Sequence, residues 1–411
     1  MTGRNARKGR IGVQIMFRVL IADDSAFMRM VLSDMFKKQP DFEVVATATN
    51  GKDAVEKVKT LKPDLVTMDV NMPVLDGLQA LEIIMNDCPT PVLMFSSLTQ
   101  DGTKATIKAL SLGAVDFVSK AGGSISKVDT VEDEILTKAR TAVHAGGIFR
   151  RSSSPPPAPE TPPVPPKPKE PEKAPEKEVS AGSPPVMRRI TLPTRKGYTP
   201  PSAPPPLVAR PKPVIRAVSP KGGPGRKLVV LGCSTGGPKA LQTVVAGLPK
   251  NLPCGVLIVQ HMPPGFTKSL AERLNEISKI SVKEAENHDM IEAGHVYIAP
   301  GNFHMTVSGS GREILLNQDP PIGTLRPAAD VLFKSAAPLG RDIVSVILTG
   351  MGSDGANGMT EIKKTGGYVI AESEETAIVY GMPKAVVDLG LADEVKPLQN
   401  IAGAIVNAVS H

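Results

Sequence analysis

The sequence has no tryptophan, four tyrosines and ten phenylalanines among 411 residues. Its cores must therefore be aliphatic, and aromatic platforms for stacking nucleic-acid bases are not expected. No apolar run approaches the roughly 18 residues of a transmembrane helix. Cysteine is scarce: Cys88, Cys233 and Cys254 are odd in number, far apart and without C-x-x-C spacing. That pattern suits neither a disulfide frame nor a zinc site, and it fits a reducing cytosol. Residues 1–16 are basic but have no apolar stretch and no A-x-A site, so a secretory signal is not expected.

An excess of positive charge is missing from most of the chain too. A net charge of +7 and a pI near 9.2 invite a nucleic-acid reading. Yet residues 151–226 hold 14 Lys/Arg against 5 Asp/Glu, and the rest holds 34 against 36. The remainder lacks the basic footprint of a DNA-binding domain, so no nucleic-acid partner is expected. The same segment carries 23 of the 40 prolines, in SSSPPPAPETPPVPPKPKEPEKAPEKE and PPSAPPPLVARPKPV. Proline removes backbone donors, and too little apolar surface is present for a core. The expected layout is a disordered tail at 1–15, a first domain at 16–145, a disordered Pro-rich basic linker at 146–226 and a second domain at 227–411. The linker is read as an extended spacer, with docking of a proline-reading or acidic partner as the alternative.

What is present in both flanks is strand–helix alternation. Before the linker, FRVLIA (17–22), EVVATA (43–48), DLVTMD (64–69), PVLMFS (91–96) and DFVSK (116–120) read as strands. Met28, Val31, Leu32 and Met35 share one helical face between the first two, and Ala54, Val55, Val58 and Leu61 share one in the next. Such alternation means a parallel sheet with helices on both faces. After the linker come KLVVLG (227–232), GVLIVQ (255–260), DIVSVILTG (342–350) and YVIAE (368–372), with a last helix near 398–409. DIVSVILTG is the most apolar and is expected inside the sheet. HVYIAP and EILLNQ read as a strand and half of a hairpin, which makes the second domain doubly wound, mostly parallel α/β with a small antiparallel insert.

In open parallel sheets, function gathers at the carboxyl ends of strands. Asp23 and Asp24 end the first strand, Asp69 the third, Ser96 the fourth and Lys120 the fifth. Three carboxylates together repel unless a cation neutralises them, and oxygen ligands with open positions favour Mg²⁺. A hydroxyl and an ammonium facing Asp69 would hold two further phosphoryl oxygens, so the set suits phosphorylation of Asp69. Taken singly, each Asp would read as a cap or turn residue. Together, LIADDSAFMR, VTMDVNMPVLDG and DFVSKAGG resemble response-regulator receiver domains over residues 16–142. The resemblance implies a flavodoxin-like (βα)5 domain opening at Met16, with Asp69 taking phosphate from a histidine kinase. It further implies Mg²⁺ held by Asp23, Asp24, Asp69 and the backbone carbonyl of Asn71, and a switch of Ser96, Phe117 and Lys120.

In the second domain, KLVVLG leads into Gly232-Cys233-Ser234-Thr235-Gly236-Gly237. The G-x-S-x-G spacing puts Ser234 on a sharp strand-to-helix turn, with helix N–H groups near a developing oxyanion. Alone, the glycines suit a phosphate or dinucleotide loop, or a plain tight turn, equally well. A serine needs a base, and His261, ending GVLIVQ, falls on the same rim as Ser234. His304 stays open as a substrate contact or structural donor. Asp354, in LTGMGSDGANG, is the candidate to orient the imidazole, with Asp330 and Asp319 as rivals. Four glycines within 350–358 suggest close packing there. Cys233 is read as a small buried group. No paired histidines at ligand spacing suggest metal-dependent hydrolysis.

GCSTGGPKAL, QHMPPGFTKSLAERL, VYIAPGNFHM, LTGMGSDGANGM and EETAIVYGMPKAV resemble the chemotaxis protein-glutamate methylesterases/protein-glutamine glutaminases over residues 226–410. The resemblance implies a Ser234–His261–Asp354 triad, with Thr235 and the Met351 backbone at the oxyanion. RPAAD stands where that family often has R-P-S-V-D, so a hydroxyl is missing at Ala328. The implied activity is hydrolysis of glutamate γ-methyl esters, and deamidation of glutamines, on chemoreceptor cytoplasmic domains. Such an enzyme would be cytoplasmic, meeting the membrane only through receptors, without a cofactor in its second domain. The receiver would cover the serine rim until phosphorylated. The alternatives are a receiver-controlled phosphate- or dinucleotide-binding protein without catalysis, and a scaffold in two-component signalling.

Overall fold

A computed structural model of the chain describes residues 16–97, 99–120, 128–152 and 227–410. The expected tail and almost all of the expected linker lie outside the described residues.

The first domain has strands β1 (Phe17–Ala22), β2 (Phe42–Ala48), β3 (Leu65–Asp69), β4 (Val92–Ser97) and β5 (Asp116–Lys120). They pair in parallel in the order β2-β1-β3-β4-β5. Helices α1 (Ala26–Lys37), α2 (Gly51–Leu61), α3 (Gly77–Asp87), α4 (Gln100–Leu112) and α5 (Val128–Ser152) connect and follow them. The chain turns into these helices where a side chain can take an orphan N–H. Ser25 accepts from Met28 N, Asn50 from Asp53 N and Thr99 from Gly102 N, and Asp76 and Gln79 form a capping box. The stripe expected on α1 is corrected by the structure. Leu32, Met35 and Phe36 are its buried apolar residues, while Val31 is exposed. The inward face is thus rotated toward Phe36, whose ring meets Phe42 of β2.

The second domain has a seven-stranded, wholly parallel sheet in the order β14-β13-β12-β6-β7-β9-β8. Its strands are β6 (Leu228–Cys233), β7 (Val256–Gln260), β8 (Ser281–Glu284), β9 (His295–Ile298), β12 (Ile343–Ile347), β13 (Tyr368–Glu372) and β14 (Glu394–Lys396). The antiparallel insert is a separate pair, β10 (His304–Val307) with β11 (Ile314–Asn317). Helices α6 (Gly237–Gly247), α7 (Phe266–Ile277), α8 (Ala329–Ala336), α9 (Ala356–Lys364), α10 (Met382–Asp388) and α11 (Leu398–Ser410) cover the sheet. DIVSVILTG supplies β12, an interior strand between β13 and β6. The two domains belong to one compact unit, in which α4 packs against α6 and α7. Among the described residues no helix is long and apolar enough to cross a membrane.

Candidate active site and phosphate switch

At the carboxyl ends of β1 and β3, ligand oxygens of Asp23, Asp24 and Asp69 lie within 4.8 Å of one another. Asp23 and Asp69 are buried and Asp24 is exposed. Lys120 Nζ reaches across from β5 to Asp23 Oδ2 at 3.0 Å and Asp69 Oδ2 at 2.8 Å. Burial pushes the Asp69 carboxyl up, against the pull of Lys120 and the Asn71 N–H. Burial works to lower the Lys120 ammonium, but its bonds to Asp69 and Asp23 outweigh that and hold it raised. Three carboxylates and one ammonium leave two uncompensated charges, which suits a divalent cation with oxygen ligands. Ser96 does not join this group. Its hydroxyl donates instead to Gly102 O at the start of α4, 3.0 Å away.

In the second domain, β6 ends at Cys233 and Ser234 follows on the turn into α6. Ser234 N–H donates to Thr349 O, and Gly237 N–H to Ser234 O. Gly236 sits at φ +80°, where a Cβ would fall 2.8 Å from Ile378 Cβ. A Cβ on Gly350 would fall 2.9 Å from Ser234 Cβ, so the serine packs directly on the loop after β12. The close packing expected of the 350–358 glycines does not extend to Gly352, whose Cβ would meet open space. Cys233 is fully buried, and burial raises its thiol well above the usual range. A thiolate nucleophile is not available there.

His261 is the first residue beyond β7, and its N–H donates to Cys233 O at 3.2 Å. His261 Nε2 lies 2.7 Å from Asp354 Oδ2, with both side chains more than nine-tenths buried. Asp354 is held from behind by α8: the Ala329 N–H donates to Oδ2 at 2.6 Å and the Asp330 N–H to Oδ1 at 3.0 Å. Burial works against its charge, but His261 and these N–H groups outweigh it, and the carboxyl is held below its ordinary value. Asp330, the rival, turns the other way. It accepts from Gly355 N, Gly358 N and Asn357 Nδ2, which makes it the cap of α9. His304 is buried, with Nε2 on Pro320 O.

Two residues that sequence reasoning passed over tie the turn down. Gln260 Nε2 donates to Ser234 O and His261 O. Thr349 Oγ1 donates to Thr235 O, while the Thr349 carbonyl takes the Ser234 N–H. The available signal was a polar residue directly after an apolar run, Gln260 after GVLIV and Thr349 after VIL.

Residues 19–128 match the response regulator receiver domain, and residues 229–405 match the CheB methylesterase. A protein-glutamate methylesterase/protein-glutamine glutaminase of Symbiobacterium thermophilum is 47% identical over 399 residues, covering 97% of this chain and 98% of its own. The protein of that name from Pyrococcus abyssi is 42% identical over 95% of this chain and 93% of its own. The one from Thermotoga maritima is 41% identical over 95% and 98%. The chain belongs to the protein-glutamate methylesterase/protein-glutamine glutaminase family.

In this family member the receiver touches the methylesterase domain beside Ser234. Thr235 Oγ1 donates to Asp116 Oδ2 at 2.5 Å. Thr141 of α5 donates to the sulfur of Met351 at 3.1 Å. The Phe117 ring stacks on Phe266 with centroids 4.4 Å apart. Lys138 lies over Phe117, donates to its carbonyl and sits 3.6 Å from Asp116. Thr103 and Ser269 hydroxyls are 3.1 Å apart, and Gln242 donates to Ser111.

Proposed function

We propose that this chain is a phosphorylation-activated protein-glutamate methylesterase and protein-glutamine glutaminase that acts on chemoreceptor cytoplasmic domains. Its catalytic groups are Ser234 as nucleophile, His261 as base and Asp354 as the group orienting the base. The observation that carries the reading is the His261–Asp354 pair, 2.7 Å apart and buried on the rim that Ser234 shares. With Nε2 committed to Asp354, Nδ1 is the nitrogen that takes the Ser234 proton.

Ser234 Oγ attacks the γ-carbonyl carbon of a methyl-esterified glutamate as its proton passes to His261. The oxyanion that forms is held by N–H groups at Thr235 and Met351. Collapse breaks the C–O bond, and His261 returns the proton to departing methanol. Water, deprotonated by His261, then attacks the acyl-enzyme and releases glutamate and free Ser234. A glutamine side chain follows the same path with ammonia leaving. The depressed Asp354 carboxyl stays ionised through the cycle and stabilises the imidazolium.

Control comes through Asp69, phosphorylated by a chemotaxis histidine kinase. Asp23, Asp24, Asp69 and the Asn71 carbonyl would hold Mg²⁺, which when bound neutralises charge on the incoming phosphoryl group. Lys120 holds the Asp69 carboxylate in place, and Ser96 and Phe117 respond to its modification. The domains run from 16 to 145 and from 227 to 411, joined by the linker, and the reaction is cytoplasmic. The deciding measurement is methanol release from membranes carrying methylated receptor, by the full chain with Mg²⁺ and a small phosphoryl donor. Ser234→Ala should lower turnover by about four to six orders of magnitude. Release at the wild-type rate would remove Ser234 from the scheme.

A further inference from the structure

We infer that Gln260 is a positioning residue that sets the gap between nucleophile and base, one amide spanning the carbonyls of Ser234 and His261. The inference rests on the assignment of Ser234 and His261 above.

The parallel register of β6 with β7 ends at the pair Cys233↔Gln260. Ser234 and His261 are therefore the first residues on each strand that the register no longer pairs. Gln260 extends the tie by one residue on both sides. Its Nε2 donates to Ser234 O at 2.9 Å and to His261 O at 3.2 Å, and its Oε1 accepts from Cys233 Sγ at 3.0 Å. Both nitrogen partners are carbonyl oxygens, which only accept. The amide can therefore face them with its nitrogen alone, and both of its hydrogens are engaged. The side chain is buried, 2% exposed, so neither bond competes with water. Gly237 leaves it room: a Cβ there would lie 2.1 Å from Gln260 Oε1. The second glycine of STGG is thereby explained by this amide, with no phosphate or dinucleotide needed. A small change in the Ser234–His261 distance is felt directly by proton transfer, which falls off steeply with misplacement.

Two variants test this in the full chain with Mg²⁺ and acetyl phosphate, on membranes bearing methylated receptor. Gln260→Met keeps the length and removes both donors. It should lower kcat about tenfold to a hundredfold with KM within about twofold. Labelling of Ser234 by a fluorophosphonate should slow in the same proportion. Gln260→Glu keeps the shape. Ionised, it turns oxygens on both carbonyls, and protonated it regains only one donor, so its kcat should also fall with KM within about twofold. A folded Gln260→Met with wild-type kcat and labelling would overturn the inference. So would a loss matching the unfolded fraction alone. Where Gln260→Met does not fold, a folded Gln260→Glu with wild-type kcat and labelling overturns it. Ser234→Ala runs beside them: if it still releases methanol, the parent assignment fails. If it is silent while the Gln260 variants match wild type, only the role of Gln260 fails.

Discussion

Asp354 and Asp330 exchange caps: Asp354 takes N–H groups at the start of α8, which contains Asp330, and Asp330 takes those at the start of α9, which follows Asp354. They differ in one bond, the one from Asp354 to His261. Asp354→Asn keeps an acceptor for α8 and removes the charge facing the imidazole. Its kcat should fall by roughly three to four orders of magnitude, read as methanol release, with the melting temperature little moved. Asp330→Ala should do the reverse, costing about 1–3 kcal/mol as buried N–H groups lose their acceptor, with kcat retained in the folded protein. Equal kcat losses in the two variants would contradict the division of roles. Sequence favoured Asp354 because it follows a strand end in glycine-rich text. It could not reveal the crossing, because residues 24 to 28 apart in the chain exchange these bonds. The direction of the Ser96 hydroxyl was hidden for a related reason. A strand-end position fixes where a side chain starts, and the nearby Gly102 carbonyl decides where it points.

Glu372 closes β13 with a carboxylate that is fully buried. Oε2 accepts from the Thr349 N–H and Oε1 from Thr376 Oγ1, and burial pushes the carboxyl from its ordinary 4.5 up to about 7. The folded chain then keeps this proton over a range where the unfolded chain has lost it. Its unfolding free energy therefore falls as pH rises from about 4.5 to about 7, and changes no further above that. Glu372→Gln removes the fall. It should match wild type in thermal unfolding near pH 4.5 and exceed it at pH 8, by an amount on the order of 3 kcal/mol. A gain of the same size at both pH values would refute the cause. β1, β5 and β13 were legible to the residue, because apolar runs there stop at charged residues or turns. β8 (SVKE) and β14 (EVK) were not, because edge strands need bury only one side. α8 escaped notice because Ala328 offers no capping side chain. The cap arrives from Asp354, beyond any local window.

The two domains meet at the residues next to Ser234, so the receiver can govern the chemistry by contact alone. Asp116 holds Thr235, Thr141 holds Met351, and the Phe117 ring lies on Phe266 at the start of α7. A hydrogen bond to a charged acceptor is worth about 1.5–3 kcal/mol, which is roughly a tenfold to hundredfold shift between covering and release. Lys120, which holds Asp69, ends β5, the strand that also carries Asp116 and Phe117, so a change at Asp69 has a route to both through one strand. Asp116→Ala removes the lock on Thr235 while leaving Lys138 its pair with Glu134. Its unphosphorylated esterase rate should rise about tenfold toward the rate of residues 227–411 alone, and acetyl phosphate should then add little. Wild type should show the full step on phosphorylation, and Asp69→Ala none. Methanol release from the same receptor membranes measures all four. If Asp116→Ala stays as slow as unphosphorylated wild type while 227–411 is fast, covering does not depend on this hydrogen bond. If 227–411 is itself no faster than the unphosphorylated full chain, the receiver does not restrain the esterase at all.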